Sequence, residues 1–227
     1  MNVVLFGGTG MVGTGALLEC LDDPRVSGVL VIGRRGCGHD HPKLREVLHA
    51  DFFDYSAIAD DLSSVDACFF CLGVPSSGKT EEQYSRLTYD LTLAAAEALL
   101  AANPAVTFLY ISAAGADRSE QGRSMWARVR GRLENTLLDL PFRAAHVLRP
   151  GYIQPMRGAR SNVWLYRAVY TIVGWTYPVL RRLLPHAVTS TVTIGRALIH
   201  IAAEGWHEPV LEAKAINAAG RASEEEP

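Results

Sequence analysis

Lysine is scarce in this 227-residue sequence, since only Lys43, Lys79 and Lys214 stand among its 22 basic residues. Lysine can adjust its pKa to hold or release a catalytic proton, whereas arginine stays charged at any physiological pH. Most of the cationic side chains are therefore suited to binding anions rather than to moving protons. The formal net charge is only −2, which argues against nucleic acid as a partner because nucleic-acid-binding domains carry a marked positive excess.

No apolar run in the sequence is long enough to cross a bilayer. The longest stretch without a charged residue, 98–116, contains Asn103-Pro104 near its middle, and a membrane helix needs about 20 continuous apolar residues. The N-terminal MNVVLFGG lacks the basic residues and the longer apolar segment of a signal peptide. Apolar residues make up 48% and charged residues 20% of the chain, as in soluble globular proteins. We therefore expect a soluble, cytoplasmic protein without a membrane span.

Cysteine and histidine are too few and too scattered to predict a structural metal site. Cys68 and Cys71 have the CxxC spacing, but DACFFCLG is typical of a buried strand, in which residues three apart point to opposite faces. Cys37, His39 and His41 are close in sequence, but no second cluster completes a zinc site. We therefore predict no metal.

Strand-like runs alternate with helix-like stretches along the first 150 residues. The predicted strands are Asn2–Phe6, Gly28–Ile32, Asp66–Leu72, Val106–Ser112 and Ala144–Leu148, with a further one near Glu46–His49. The predicted helices are Met11–Leu21, Glu81–Ala102 and Ser124–Leu140, with a short one near Tyr55–Leu62. This alternation predicts an α/β fold of the Rossmann type, a doubly wound parallel sheet with helices on both faces. We expect residues 1–150 to form this core and residues 151–227 to form a small, mostly helical C-terminal lobe of the same domain.

An arginine-rich segment without acidic residues extends from Leu140 to Ala203. Within it, residues 161–184 mix two tryptophans and three tyrosines with arginines. This segment is compatible with a substrate lid, a homodimer contact, a helix at a membrane surface or an amphipathic helix packed on the domain. Pro178 argues against a single straight helix, and the sequence leaves these alternatives open.

The first predicted strand leads directly into a glycine-rich turn that is followed by a helix. The residues that we assign to cofactor binding in this turn are Gly7, Thr9, Gly10, Met11, Val12 and Gly13. Glycines at this spacing allow a tight turn and the close approach of a pyrophosphate, while the helix N-terminus attracts phosphate. The succession of strand, turn and helix predicts a dinucleotide site, and the alternative is a glycine-rich turn without a chemical role.

The end of the second predicted strand indicates which dinucleotide binds. An NAD site usually has an acidic residue about 20 residues beyond the glycine motif, where it holds the ribose 2′-hydroxyl. This sequence has Arg34 and Arg35 there instead, and paired guanidinium groups suit the 2′-phosphate of NADP(H). A solvated basic turn is the alternative for the two arginines. Asp51 and Phe52, after the third predicted strand, are expected to border the adenine.

Together with CLG at 71–73, YISAAGAD at 110–117 and LRPG at 148–151, these motifs resemble the atypical short-chain dehydrogenase/reductase family. The resemblance covers most of the chain and is most evident for the branch of NAD(P)H-binding proteins and epimerases that includes the Tat-interacting tumour-suppressor oxidoreductase. It implies a Rossmann fold that binds NADP(H), with Leu72 and Gly73 beside the nicotinamide half of the cofactor. It also implies oxidoreductase or epimerase chemistry on a small organic substrate, assisted by a Ser, Tyr and Lys set.

The chain departs from the family pattern within this catalytic set. Ser112 ends the fifth predicted strand as the family requires, either to position a carbonyl or only to end the strand, but Trp126 and Arg130 stand where the family has Tyr and Lys. An indole N–H does not titrate near neutrality, and an arginine cannot shuttle a proton. The resemblance assigns Ser112, Trp126 and Arg130 to the catalytic positions, and Tyr152 is the substitute proton donor that we suggest. The alternative is a catalytically silent NADP(H)-binding sensor or partner-binding module.

The sequence GVPSSGKT at 73–80 also satisfies the phosphate-binding pattern GxxxxGK[ST]. It follows an interior strand rather than the first one, and the next strand ends in Ser112, where a magnesium-binding acid is expected. Both features argue against nucleoside triphosphate hydrolysis, which stays the minor alternative for this chain.

Overall fold

The computed structural model describes residues 1–159 and 187–225, and seven of the strands in these ranges form one parallel sheet. The strands are β1 Asn2–Phe6, β2 Gly28–Gly33, β3 Leu44–Leu48, β4 Ala67–Phe70, β5 Thr107–Ile111, β6 Ala144–Arg149, β7 Tyr152–Gln154, β8 Val188–Ser190 and β9 Val210–Glu212. The sheet order is β3-β2-β1-β4-β5-β6-β9, so the chain winds outward in both directions from β1 and β4. The predicted doubly wound Rossmann sheet is confirmed.

Helices cover both faces of this sheet. They are α1 Met11–Asp22, α2 Ala59–Leu62, α3 Glu81–Ser85, α4 Leu91–Ala102, α5 Met125–Asp139, α6 Thr191–Glu204 and α7 Ala213–Glu225. Apolar side chains of α1, α6 and α7 pack with Val3 and Leu5 on one face. Those of α2, α4 and α5 pack with Val4 and Phe6 on the other. Burial on both faces explains why the sequences of the central strands β1, β2 and β4 are almost continuously apolar rather than alternating.

The predicted helix over Glu81–Ala102 is interrupted in the structure. A π turn at Arg86–Asp90 separates α3 from α4, and such a turn inserts one extra residue without breaking the helical path. The apolar pattern therefore remains helical across the interruption, and nothing in it marks the turn. The third strand also begins at Leu44, two residues before the predicted start at Glu46.

The C-terminal region adds to the sheet as well as to its helical layer. Strand β9 pairs with β6, with Leu211 beside Leu148, and β7 pairs with β8 in a separate two-stranded ribbon. Helix α6 packs on α1, where the buried carboxylate of Glu19 bonds to Arg157 and Arg196 at 2.7 and 3.0 Å. The proposed boundary at residue 150 stays a prediction, and the segment 161–184 lies outside the described residues.

The two cysteines of the CxxC pattern lie on opposite faces of the sheet. Cys68 belongs to the core beneath α4 and α5, whereas Cys71 packs against the core beneath α1 and α6. Both are free thiols, and burial raises the pKa of Cys71 to about 12. Across the described ranges, no group of three or more His, Cys, Asp or Glu side chains has a metal-binding arrangement.

Candidate functional site

A cavity of about 640 Å³ opens at the carboxyl ends of β1, β2 and β4. In doubly wound sheets, ligands bind at this edge where the strand order reverses, which in this protein is between β1 and β4. The lining includes eight of the twelve residues predicted to bind a cofactor: Gly7, Thr9, Arg34, Arg35, Asp51, Phe52, Leu72 and Gly73. The structure therefore brings together residues that are spread over three crossover connections in the sequence.

The remaining four predicted cofactor residues form the start of α1. Gly10 is the N-cap of this helix and has no side chain to cap it, and Met11, Val12 and Gly13 form its first turn. The N–H groups of a first helical turn have no partner inside the helix. An anion at this edge of the sheet would therefore meet unpaired donors and a favourable helix dipole.

Two glycines of the turn are required by the packing of the backbone. Gly7 has a φ of +85°, and a Cβ on it would lie 2.9 Å from the carbonyl carbon and oxygen of Cys71. A Cβ on Gly13 would lie only 2.0 Å from the carbonyl oxygen of Gly7. Glycine at position 7 therefore lets the turn lie directly against the end of β4, and glycine at position 13 lets α1 lie directly against the turn.

The two arginines that follow β2 are exposed and line the cavity. Neither Arg34 nor Arg35 forms an ion pair with another residue in the described part of the chain. Phe52 lies across the cavity, buried edge-on against Phe6 with ring centroids 6.4 Å apart. Its neighbour Asp51 accepts a hydrogen bond from the backbone N–H of Phe53 at 2.9 Å. This end of the cavity thus combines free cationic groups with an aromatic wall.

The hydroxyl of Ser112 is engaged by a buried carboxylate. Ser112 Oγ donates a hydrogen bond to Glu134 Oε1 at 2.5 Å, and both residues are buried. Arg149 Nε donates to both oxygens of Glu134 at 3.1 Å, and its Nη2 donates to Oε2. Arg149 Nη1 reaches Glu212 on β9 at 3.2 Å, and the hydrogen bond with Glu134 raises the pKa of Arg149. Ser112 is therefore one end of a charged network that crosses β5, α5, β6 and β9.

Trp126, Arg130 and Glu134 follow one another at four-residue spacing, so they share one face of α5. Arg130 Nε donates to the hydroxyl of Tyr84 at 3.0 Å, and Arg130 Nη1 donates to that of Tyr110 at 3.2 Å. Burial raises the pKa of Tyr110 to about 12. The guanidinium of Arg130 thus holds two phenols, and its Nη2 lies 3.7 Å from where a Cβ on the cavity residue Gly73 would be.

The other two predicted catalytic side chains have different surroundings. The indole of Trp126 lies 3.5 Å from where a Cβ on Gly115 would be, so it covers that glycine. Tyr152 is on β7, where its hydroxyl donates to Gln154 Oε1 at 2.9 Å. The lining of the cavity includes none of the four predicted catalytic residues, Ser112, Trp126, Arg130 and Tyr152. The catalytic assignments of Ser112, Trp126, Arg130 and Tyr152 stay predictions.

Sequence reasoning missed Glu134, Tyr84 and Tyr110 as the hydrogen-bond partners of Ser112 and Arg130. Glu134 had a usable signal, because it stands four residues after Arg130 on the same helical face as Trp126. The sequence analysis included Arg149 only as part of the LRPG motif and did not predict its pairing with Glu134. The tyrosines had no such signal. Tyr110 is in the core strand β5, and Tyr84 is in α3, which begins the connection from β4 to β5.

In the loop with the phosphate-binding pattern, the side chains of Lys79 and Thr80 form hydrogen bonds within the chain. Thr80 caps α3, accepting a hydrogen bond from the N–H of Gln83, and the side chain of Gln83 accepts one from the N–H of Thr80. The ammonium of Lys79 donates to the carbonyl of Pro75 at 2.9 Å. The threonine hydroxyl that would hold magnesium in such a loop thus serves as a helix cap.

Replacing Lys79 by alanine is expected to leave magnesium-dependent ATP hydrolysis unchanged, at background in both proteins, because Thr80 is a helix cap and Ser112, rather than an acid, stands at the end of β5. Phosphate release measured with and without magnesium checks this. Hydrolysis in the wild type that disappears in the Lys79→Ala protein would contradict it.

The sequence model of a family described as "NAD dependent epimerase/dehydratase family" matches residues 3–123, more than half of the 227 residues. The chain belongs to this family. The epimerase/dehydratase match includes the glycine turn, Arg34, Arg35 and Ser112, and it ends before Trp126 and Arg130. Within residues 1–159 and 187–225, every helix of this family member is too short or too polar to cross a bilayer.

Similar proteins agree with this family membership. "Protein fmp52, mitochondrial" of Emericella nidulans is 31% identical over 163 residues, which cover 69% of this chain and 68% of that protein. "Protein HTATIP2" of Rattus norvegicus is 27% identical over 234 residues, with 98% of this chain and 90% of that protein covered. The predicted resemblance to atypical short-chain dehydrogenases/reductases is thereby confirmed.

Solved structures with the same fold include members that hold a dinucleotide. "MoeE5 in complex with UDP-glucuronic acid and NAD" superimposes with a TM-score of 0.64 at 20% identity, covering 92% of this chain and 75% of that one. A UDP-glucose 4-epimerase of Thermotoga maritima gives 0.61 at 15% identity, covering 90% and 74%. At these identities the likeness shows the epimerase/dehydratase fold alone.

Proposed function

We propose that this chain binds NADP(H) in the cavity between β1, β2 and β4 and uses it for oxidoreductase or epimerase chemistry on a small organic substrate. The observation that carries the proposal is the cavity lining, which joins the glycine turn to the unpaired guanidinium groups of Arg34 and Arg35. When bound, NADP(H) would give or take the hydride, and the chain would supply binding, orientation and charge.

The residues that are present fit the cofactor. A volume of about 640 Å³ lies within the range of about 300–1,000 Å³ that is usual for such sites. The first turn of α1 offers unpaired N–H groups to the pyrophosphate, while Arg34 and Arg35 suit a 2′-phosphate. Phe53 and Leu87 line the cavity with large exposed apolar side chains, which suit a flat adenine ring.

NADPH is expected to bind at least tenfold more tightly than NADH, because only NADPH offers a 2′-phosphate to the two guanidinium groups. Tenfold corresponds to about 1.4 kcal/mol, a modest value for charge-assisted hydrogen bonds. Fluorescence titrations of both cofactors measure the ratio of dissociation constants, and the double variant Arg34→Ala/Arg35→Ala should bring it close to one.

Arg45→Ala is the matched control for this titration. Arg45 is also an exposed arginine, but it pairs with Asp61 and is not part of the cavity lining, so its loss should leave the preference intact. Equal affinities in the wild type, or a preference that survives in the double variant, would show that the arginines are only a solvated turn.

A second candidate is a cofactor-binding protein without turnover, acting as a sensor or a partner-binding module. Two observations at the predicted catalytic positions favour it. The hydroxyl of Ser112 is bonded to Glu134, and the guanidinium of Arg130 is bonded to the phenols of Tyr84 and Tyr110. Steady binding of NADPH without consumption, over a panel of aldehydes and ketones, would support this candidate. Consumption coupled to product formation would support the enzyme.

Substrate, assembly and location are the finer parts of the proposal. The sugar nucleotides named with the solved neighbours suggest a polyhydroxylated small molecule as a first class of substrate to assay. A homodimer and a cytoplasmic location stay predictions from the sequence, and relatives whose names include "mitochondrial" make the organelle the first alternative location to examine.

A further inference from the structure

The hydrogen bond between Ser112 and Glu134 has a direction that chemistry fixes. Glu134 is completely buried and faces the guanidinium of Arg149. A carboxylate in that position only accepts hydrogen bonds, and a guanidinium only donates them. The single proton of the Ser112 hydroxyl must therefore lie toward Glu134 Oε1, which is 2.5 Å away.

A serine with its proton committed in this way has only acceptor capacity left. For Ser112 to donate to a ligand carbonyl, it would have to release a charge-assisted bond to a buried carboxylate, which is among the stronger hydrogen bonds in proteins. A ligand that donates to Ser112 leaves that bond in place. The local arrangement thus favours a ligand O–H over a ligand C=O at this point.

Arg130, on the same face of α5 as Glu134, adds to this preference for a ligand hydroxyl. Arg130 Nη1 donates to the carbonyl oxygen of Ile111, the last residue of β5 and the neighbour of Ser112, at 3.4 Å, and a guanidinium offers donors only. A hydroxyl both donates and accepts, so it can satisfy Ser112 and a nearby guanidinium together. A carbonyl only accepts hydrogen bonds, so it would leave the oxygen of Ser112 without a donor.

We propose that Glu134 is a positioning residue that fixes Ser112 as a hydrogen-bond acceptor, so that the site takes the hydroxyl form of its substrate in preference to the carbonyl form. The proposal rests on the proposed function in one respect, which is that the substrate lies beside Ser112 at this edge of the sheet. The ligand class is a secondary alcohol or a sugar-like hydroxyl compound.

The test compares two probes of the same shape, cyclohexanol and cyclohexanone, by ligand-observed NMR titration with and without NADP⁺. The alcohol is expected to bind the wild type at least tenfold more tightly than the ketone. In Ser112→Ala, which keeps the pairing of Glu134 with Arg149, the two probes should differ by less than threefold. The proposal is overturned if the wild type binds the alcohol and the ketone equally, both with and without NADP⁺. It is also overturned if neither probe binds under either condition.

Glu134→Gln gives a result that a purely structural role would not produce. Arg149 would keep the amide oxygen, so the amide N–H would face Ser112 and donate to it, which frees the serine proton for the ligand. The preference should then move at least tenfold toward the ketone. A preference equal to that of the wild type would mean that Glu134 does not set the direction.

A third measurement reads the arrangement without any ligand. A hydroxyl proton held by a buried carboxylate exchanges slowly, so the free protein should show a resolved Ser112 hydroxyl resonance that Ser112→Ala removes. This signal also keeps the two proposals separable. Failure to bind NADP⁺ would count against the proposed function, whereas absence of this resonance would count against the role of Glu134 even if Glu134→Gln does not fold.

Discussion

A protein that carries Trp126→Tyr and Arg130→Lys is expected to reduce simple aldehydes and ketones with NADPH about 10²–10⁴-fold faster than the wild type, which should stay close to background. That range is the usual contribution of a positioned acid or base. The indole of Trp126 cannot give up a proton near neutral pH, and Arg130 cannot tune one. The two changes would place a titratable phenol and an adjustable ammonium four residues apart on one face of α5.

Either single change is expected to do less than the pair. A lysine alone would have only the phenols of Tyr84 and Tyr110 beside it and none at position 126. A phenol at position 126 alone would have a guanidinium four residues away, which cannot exchange a proton as an ammonium can. Rates of NADPH oxidation over a panel of carbonyl compounds measure the gain, and NADPH affinity serves as the control because the glycine turn and the cavity arginines are untouched. Robust wild-type turnover that Trp126→Phe leaves unchanged would show that another residue supplies the proton, and Tyr152 would be the next to replace.

Gly13→Ala is expected to destabilise the fold and to disrupt the cofactor turn together. A Cβ at this position would lie 2.0 Å from the carbonyl oxygen of Gly7, and Gly7 cannot retreat because the carbonyl of Cys71 is behind it. Overpacking against backbone costs about 3 kcal/mol, which for a chain of this size lowers the melting temperature by roughly 6–12 °C. Thermal unfolding and NADPH titration measure the two effects.

Gly10→Ala is the matched control in the same turn. Gly10 has a φ of −86°, and a Cβ on it would meet only the oxygen of Gly7 at 3.2 Å. Its replacement should lower the free energy of unfolding by less than about 1 kcal/mol, close to the cost of a poorer N-cap. If the two alanine variants have the same melting temperature, close packing of the backbone is not the reason for glycine at position 13.

The core of the fold was predictable because its signals are local. The run from Val3 to Phe6 is apolar throughout, the glycines follow it at once, and helix α1 begins after them, so strand, turn and helix were all placed from neighbouring residues. The same holds for Arg34 and Arg35, which mark the end of β2 by sequence alone. Eight of the residues predicted to bind a cofactor line the cavity for this reason, since each of them is near the end of a strand.

The parts that sequence reasoning missed depend on contacts between distant residues. Strand β9 has only three residues, too few for a periodic pattern, and it forms because the edge of β6 is available to pair. The bond between Ser112 and Glu134 joins residues 22 apart through the packing of α5 on β5. The position of a serine was therefore predictable, whereas the partner that determines what its proton can do was not.

The pairing of Arg149 with Glu212 has a consequence for the order in which the molecule assembles. These residues are 63 positions apart, and contacts of long sequence separation form late because a large loop must close first. The glycine turn has the same requirement, because Gly7 packs against the carbonyl of Cys71 at the end of β4, which is about as distant along the chain. Neither the turn nor the charged network of the serine should therefore form ahead of the other, so that phosphate binding and the orientation of the serine arise together when the sheet is completed.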